Sequence, residues 1–240
     1  MFIKGKQDKP YRIAIYGTGG VGKSTLANEA ENPLFFDFED ALDHIDCVKT
    51  PMIRSMEEIG PYINHGIEEG YKTFVFDTAD CIENLLCKKI CKEHKIDSIA
   101  DLGFGKGYEA LNTQWNKVMD TFDYLKEKGI NSILIAHEIV KRYDDPRTDG
   151  YDRILLKMHQ KSAGTVISRL DAVLYMCYDY IVSSKKEKSL EKPKPKGNGK
   201  RIVFTDERPA FIAKNRYDMP HRLEDVNSIY QFLKNGEKNV

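Results

Sequence analysis

Residues 17–24 read GTGGVGKS, a stretch that decides the fold because it fits the pattern G-x-x-x-x-G-K-[ST] at every fixed position. Glycines at this spacing let backbone N–H groups surround a phosphate, while the lysine adds charge and the hydroxyl can ligate Mg²⁺. YRIAIY (11–16) before it has strand composition, and KSTLANEA (23–30) after it predicts a helix start. Together they predict a P-loop that binds a nucleoside triphosphate. Its expected binding residues are Gly17, Thr18, Gly19, Gly20, Val21, Gly22, Lys23, Ser24 and Thr25.

Composition fits one domain, which we expect to span residues 1–240. The 37 basic and 37 acidic side chains cancel, so net charge favours neither a nucleic acid nor a membrane as partner. Charge is nevertheless segregated, because residues 183–201 hold eight Lys or Arg and two Glu. We interpret 183–200 as a flexible basic loop rather than a nucleic-acid arm, and 221–240 as a C-terminal tail or helix.

The five cysteines are an odd number in a chain without a recognisable signal peptide, so we expect a reduced, cytoplasmic protein. Cys87, Cys91 and His94 would share one helix face, which is the geometry of a metal site. A fourth ligand is not evident, and we therefore interpret them as packing residues. The sequence lacks an apolar run of 18 residues, so we expect no membrane span.

Strand and helix patterns alternate along the chain, which predicts an α/β fold with a mostly parallel sheet flanked by helices. An apolar stripe predicts a helix over residues 107–128, with Trp115 in the core. Residues 201–216 predict two strands joined by a turn, a C-terminal β-hairpin. The other expected strands are Pro33–Phe38, Lys72–Asp80, Asn131–His137 and Ala172–Val182.

TFVFDT (73–78) has the form of a Walker B strand, in which buried apolar residues deliver one carboxylate to the strand's carboxyl end. Mg²⁺ keeps several waters and takes one or two protein oxygens. Ser24 and Asp77 are therefore the expected metal ligands.

From this point the sequence resembles the RecA/RadA-type P-loop ATPases, and a RecA-like core is the fold that the resemblance implies. FFDFEDALD (35–43) is similar to a strand-end run in which this family carries a water-polarising glutamate. That role falls on Glu39. A carboxylate beyond a strand, on the phosphate side, is suited to orient water toward a γ-phosphate. The alternative is a solvated acid among its neighbours.

Two further stretches extend the resemblance. His137 ends a strand where the family places a γ-phosphate sensor, although a merely hydrogen-bonded histidine fits too. Lys214 and Arg216 in AKNRYD resemble the KNRFG motif of RadA-type proteins, whose cations reach a neighbouring subunit's triphosphate. The resemblance thus implies catalysis in trans and self-association. Solvated charges on a surface strand are the alternative.

The closest likeness is to short phage-encoded RecA-core ATPases of single-strand annealing and recombination, which implies single-stranded DNA as partner. Residues 97–108 and 138–153 would be the DNA loops, although solvated flexible loops fit them as well. Candidate phosphate-contacting cations are Lys106, Lys141, Arg142, Arg147 and Arg153, and candidate stacking rings are Tyr108, Tyr143 and Tyr151.

The sequence therefore predicts a Mg²⁺-dependent, DNA-stimulated ATPase of phage recombination or annealing, with ATP and Mg²⁺ as its ligands. A single-strand-binding protein is a further candidate partner. Two alternatives stay open. One is a DNA-binding module that ATP switches, with incidental hydrolysis. The other is a small-molecule P-loop kinase whose lid would be the arginine-containing loop 142–153.

Overall fold

The computed structural model describes residues 2, 4, 5, 7–182 and 195–234, in which strands and helices alternate. The strands are β1 (Arg12–Gly17), β2 (Pro33–Asp37), β3 (Thr73–Asp77), β4 (Asn131–Tyr143), β5 (Tyr151–Leu156), β6 (Ala172–Val182), β7 (Pro195–Phe204), β8 (Lys214–Asn215) and β9 (Arg222–Leu223). The helices are α1 (Lys23–Asn28), α2 (Ile59–Glu68), α3 (Ala79–His94), α4 (Lys106–Glu127), α5 (Gln160–Arg169) and α6 (Ile229–Lys234).

The strands form one sheet in the order β2-β3-β4-β1-β6-β7-β9. The strands from β2 to β6 in this order are parallel, and β7 and β9 continue the sheet antiparallel to their neighbours. The predicted fold class, a mostly parallel sheet flanked by helices in a RecA-like P-loop core, is confirmed. β4 lies between the P-loop strand β1 and the Walker B strand β3, as the resemblance implied.

Alternating side chains bury both faces of the sheet. Even-numbered residues of β1, such as Tyr16, pack against the face covered by α3 and α4, whereas Ile13 and Ile15 pack against α1 and α6. Strands that are apolar on both faces need helices on both sides, which is the arrangement of a parallel sheet. None of the helices among the described residues is both long enough and apolar enough to span a bilayer.

The long helix predicted at 107–128 is α4, and Trp115 lies in the core as expected. Its side chain is fully buried, and its Nε1 donates a hydrogen bond to Glu83 of α3 at 2.9 Å. The bond satisfies the indole N–H, so the ring can be buried without an orphaned donor.

The prediction of a polar loop over residues 138–153 is wrong for most of that segment. β4 continues past His137 to Tyr143 and pairs antiparallel with β5, from Glu138 opposite Leu156 to Tyr143 opposite Tyr151. The two strands form a hairpin beyond the parallel part of the sheet. EIVKRY has enough β-branched and aromatic character to stay extended, and β5 supplies the hydrogen bonds that β1 and β3 no longer provide.

The predicted C-terminal hairpin between two strands of residues 201–216 is also wrong in its pairing. β7 pairs with β6 over a long register, and β8 pairs with the first residues of β6, so both use β6 rather than each other. β6 is long enough to pair with both strands on the same side, with β8 at its first residues and with β7 along the rest.

Part of the predicted basic loop is strand. Residues 195–200 belong to β7, whereas 183–194 lie outside the described residues. In the predicted C-terminal segment, α6 occupies Ile229–Lys234 and residues 235–240 lie outside the described part.

Candidate active site

The P-loop connects β1 to α1 at the carboxyl edge of the sheet. Gly20 and Gly22 take the left-handed conformation, with φ of 74° and 101°, which L side chains rarely adopt. Lys23 begins α1 with 6% of its surface exposed, and its Nζ donates hydrogen bonds to the carbonyls of Gly17 (3.1 Å) and Thr18 (2.9 Å). Burial lowers the pKa of Lys23. Its ammonium is thus held over the loop where the pattern places a phosphate.

Asp77 ends β3 directly beside the first turn of α1. The Ser24 hydroxyl donates a hydrogen bond of 2.6 Å to Oδ2 of Asp77, which is 4% exposed. Burial raises the pKa of Asp77 to about 6. A hydroxyl and a carboxylate in contact are hard oxygen donors of the kind that Mg²⁺ takes from a protein while it keeps its waters. The pair predicted as metal ligands therefore fits Mg²⁺.

The loop that carries Glu39 is fixed by the fully buried Asp37 at the end of β2. Oδ1 of Asp37 accepts hydrogen bonds from the backbone N–H groups of Glu39 (3.1 Å) and Asp40 (2.7 Å). Lys49 pairs with Oδ2 of the same carboxylate at 3.0 Å, which compensates the buried charge. The exposed side chain of Glu39 lies at the rim of the P-loop cavity.

His137 lies at the carboxyl end of the parallel part of β4, opposite Gly17 of β1. Its Nδ1 is 3.0 Å from Oδ1 of Asp80, in the first turn of α3, and Lys157 approaches the same carboxylate at 3.4 Å. The hydrogen bond to Asp80 raises the pKa of His137. Burial disfavours the Asp80 carboxylate, but hydrogen bonding and charge from His137 outweigh it and lower the pKa of Asp80. Asp80 thus orients the ring.

These side chains line one cavity of about 320 Å³. The structure brings together the predicted nucleotide, metal and catalytic residues Lys23, Ser24, Glu39, Asp77 and His137.

Sequence reasoning missed three contributors to this site. Asp37 and Asp80 were visible as extra acids beside the expected ones, but their buried contacts depend on packing. Arg201 also lines the cavity, although we predicted it only as the first residue of the strand that follows the basic loop. It reaches the P-loop because β7 pairs with β6, a pairing between residues on either side of segment 183–194.

Lys214 and Arg216 lie away from this cavity, at the opposite edge of the sheet. β8 pairs with Ala172 and Val173 at the start of β6, where the parallel strands begin. Lys214 Nζ donates to the carbonyls of Ile167 (2.7 Å), Ser168 (3.0 Å) and Leu170 (2.6 Å) at the end of α5. Its ammonium therefore caps a helix of its own chain.

Arg216 is placed more openly than Lys214. Its side chain is 56% exposed, and its Nη1 lies 3.5 Å from Oδ1 of Asp171, a carboxylate that also pairs with Arg12 and Lys126. A surface contact of this kind contributes little stability. Arg216 is thus accessible from outside the chain.

The residues that we predicted to contact DNA differ in how exposed their side chains are. Lys141 and Arg142 are exposed on the hairpin, whereas Arg153 is paired with Glu207 and lies over the ring of Tyr143, with 10% of its side chain exposed. Arg153, predicted as a loop cation, instead lies within strand β5 of the hairpin, opposite Lys141.

The other candidate cations and aromatic rings of residues 97–108 and 138–153 differ in their contacts. Arg147 pairs with Asp145 at 2.9 Å. In the 97–108 segment Lys106 is exposed and Tyr108 stacks on His159, with ring centroids 4.3 Å apart. Tyr151 lies against the ring of Tyr143 at 5.5 Å.

Asp80→Asn should lower the pKa of His137, because the variant loses the negative charge that favours the imidazolium, even though the amide oxygen can still accept a hydrogen bond. An NMR pH titration of the His137 ring measures the change. Asp46→Asn is the matched control, since it removes one exposed carboxylate that does not touch His137. An unchanged pKa of His137 in Asp80→Asn would contradict the assignment.

The same pair gives a pH dependence of stability. The raised pKa of His137 means that its contribution is complete below the unfolded value, about 6.5, and is lost as pH rises through the folded pKa. The lowered pKa of Asp80 means that its contribution is complete above the unfolded value, about 3.9, and is lost as pH falls through the folded pKa. The stability difference between wild type and Asp80→Asn should therefore be largest from about pH 4 to 6.5.

The chain has relatives among known proteins. It is similar to the SPbeta prophage-derived uncharacterized protein YorG of Bacillus subtilis (strain 168), with 26% identity over 172 residues, or 68% of this chain and 50% of that protein. The chain thus spans about half the length of this curated relative. Among solved structures, the KaiC-like protein PH0186 of Pyrococcus horikoshii OT3 aligns with a TM-score of 0.41 at 15% identity, over 82% of this chain and 78% of that one.

One family match spans most of the chain. Residues 9–217 match the AAA domain family, a range that includes the P-loop, the Walker B strand, His137 and β8. This match shows that the chain, with its P-loop cavity at the carboxyl edge of a mostly parallel sheet, belongs to the AAA domain family.

Proposed function

We propose that this protein hydrolyses ATP with Mg²⁺ and acts on single-stranded DNA in phage recombination or annealing. The observation that carries the ATPase part is the convergence of Lys23, Ser24, Asp77, Glu39 and His137 on one cavity. The phage part is supported by the origin of one relative, which is a prophage-derived protein.

In the proposed mechanism each of these side chains has one role. Lys23 and the P-loop amides bind the phosphate oxygens, and Ser24 with Asp77 would hold Mg²⁺. When bound, Mg²⁺ neutralises charge that develops on the transferring phosphoryl group. Glu39 orients a water for in-line attack, held in place by the Asp37 turn. His137 presents its Nε2 to the γ-phosphate, because its Nδ1 is engaged by Asp80.

Glu39→Gln tests the hydrolytic role. The amide keeps the shape of the side chain but cannot act as a base, so we expect ATP affinity to persist and turnover to fall by about 10²- to 10⁴-fold. Titration calorimetry and single-turnover hydrolysis measure the two quantities. Asp40→Asn is the control, because it removes the adjacent exposed carboxylate and asparagine tolerates its left-handed φ of 59°. Wild-type turnover in Glu39→Gln would remove Glu39 from the mechanism.

The same variant distinguishes a protein whose function needs ATP hydrolysis from one whose DNA binding is only switched by ATP. If Glu39→Gln still anneals complementary strands as well as wild type in the presence of ATP, the protein is an ATP-switched DNA-binding module and its hydrolysis is incidental.

We further propose that Arg216 acts in trans on the triphosphate of a neighbouring subunit. Its exposed guanidinium and its position at the edge of the sheet opposite its own cavity support this role. Lys214 supports β8 from within, through its contacts to the end of α5. An arginine supplied across an interface contributes about 10³- to 10⁵-fold to phosphoryl transfer.

Mixing two inactive variants tests the trans role. Arg216→Gln and Glu39→Gln should each be slow alone, whereas an equal mixture should regain roughly a quarter of the wild-type rate if subunits join randomly in a head-to-tail assembly. In such mixtures Glu39 and Arg216 remain intact at about one interface in four. Arg54→Gln, at an exposed arginine outside β8, should be active alone. A mixture as slow as its components would contradict catalysis in trans.

The hairpin of β4 and β5 is the proposed DNA surface. Lys141 and Arg142 are exposed on it, and Tyr143 offers a ring at its end. The hairpin is also joined to the nucleotide site, since Lys157 after β5 contacts Asp80 and its N–H donates to the His137 carbonyl at 2.8 Å. His137 is therefore linked to the hairpin by a continuous series of hydrogen bonds and ion pairs.

A double variant, Lys141→Gln with Arg142→Gln, tests this surface. We expect weaker binding of single-stranded DNA, with the slope of log K against log salt reduced by about 1.4, since each phosphate contact on a single strand contributes about 0.7. Fluorescence anisotropy at several salt concentrations measures the slope, and ATP binding should be unchanged. Lys88→Gln with Lys92→Gln removes the same charge from exposed positions of α3 and should bind like wild type. Equal binding by both double variants would exclude the hairpin.

A further inference from the structure

One cation in the P-loop cavity has no role in the mechanism above. Arg201 lies on β7 directly opposite Tyr178 of β6. Val203 and Met176, two residues further into the sheet on each strand, pack on the α1 side of the core. Because strand side chains alternate, Arg201 and Tyr178 continue that face past the end of the sheet, to where the P-loop lies.

Two contacts hold Tyr178 and Arg201 against the P-loop. The Tyr178 hydroxyl donates a hydrogen bond of 3.2 Å to the carbonyl of Gly20. The Arg201 guanidinium lies against Gly22 so closely that a Cβ added there would be 2.7 Å from Nη1 and 3.0 Å from Cζ. The guanidinium thus faces the same backbone turn that surrounds a phosphate.

The charge balance around Arg201 differs from that of other strand cations nearby. Lys200 pairs with Glu224 at 2.6 Å and Arg222 pairs with Asp179 at 3.0 Å. Among residues 7–182 and 195–234, the side chain of Arg201 forms neither a hydrogen bond nor an ion pair, yet it shares a cavity with the buried ammonium of Lys23. The carboxylates of Glu39 and Asp77 line the same cavity, but among the described residues neither forms an ion pair with Arg201, so its guanidinium remains available to an anion that enters the cavity.

We propose that Arg201 binds the phosphate oxygens of the nucleotide in the cavity of its own subunit. The inference rests on the proposed ATPase function and adds a residue to it. A guanidinium can form two parallel hydrogen bonds to a phosphate, which a lysine cannot. This contact is made within one chain, in contrast to the role proposed for Arg216.

Arg201→Gln tests the proposal, with Lys200→Gln as the matched control for loss of a neighbouring charge. A lost charged hydrogen bond corresponds to about 10- to 100-fold in affinity. We expect Arg201→Gln to weaken the binding of ATP, GTP and inorganic triphosphate alike by this factor. Titration calorimetry measures the three affinities, at a protein concentration low enough to keep the chain unassembled. Arg201→Lys should recover part of the affinity.

The outcomes separate this inference from the function on which it rests. Wild type that binds neither ATP nor GTP would overturn both. Wild type that binds, with Arg201→Gln within twofold of Lys200→Gln, would overturn only the role of Arg201. A loss for ATP and GTP without a loss for inorganic triphosphate would place the arginine on the base or ribose, and would also overturn the proposal. Thermal unfolding of the variants should match wild type, because Arg201 is exposed.

Discussion

The parallel register of β1, β3 and β4 is the constraint on which the site depends. It aligns Gly17 with His137 and Asp77 with Ile135, while β2 aligns Asp37 with Asp77. A shift of one residue in any of these strands would turn its functional side chain to the other face of the sheet. Each backbone therefore delivers one group to the same edge, and the apolar residues beneath hold that arrangement.

Close backbone approach adds a second restriction at this edge. A Cβ on Gly17 would lie 2.0 Å from the carbonyl oxygen of Met176, so β1 can end beside β6 only with a glycine at this position. The two glycines that the P-loop pattern fixes are thus required for different reasons, Gly22 by its left-handed conformation and Gly17 by its packing against β6.

The site balances its charges by pairing buried acids with nearby cations or donors. Asp37 has Lys49 and two backbone N–H groups, and Asp80 has His137 and Lys157. Asp77, which has the Ser24 hydroxyl and no direct ion pair among the described residues, keeps a pKa raised by burial. Asp77 is therefore better suited than Asp37 or Asp80 to bind a cation from solution, because a carboxylate that already pairs with a lysine gains less free energy from binding a metal.

The two ends of the sheet carry different chemistry. The carboxyl edge holds the cavity, whereas the amino edge holds a network in which Asp171 contacts Arg12, Lys126 and Arg216. A head-to-tail assembly would bring one edge of a subunit toward the other edge of its neighbour, which is the geometry that the proposed role of Arg216 needs.

Local sequence alone determined the P-loop, the Walker B strand, the helix around Trp115 and the α/β class, because each depends on a short pattern with a fixed period or spacing. Tertiary structure decided the rest. The strand pairing of β5, β7 and β8 joins segments distant in sequence, and the hydrogen bonds of Asp37 and Asp80 arise only when strand ends meet. Arg201 is the clearest case: the residues before it are lysines, prolines and glycines typical of a loop and those after it are typical of a strand, but only the pairing of that strand with β6 places Arg201 at the P-loop cavity.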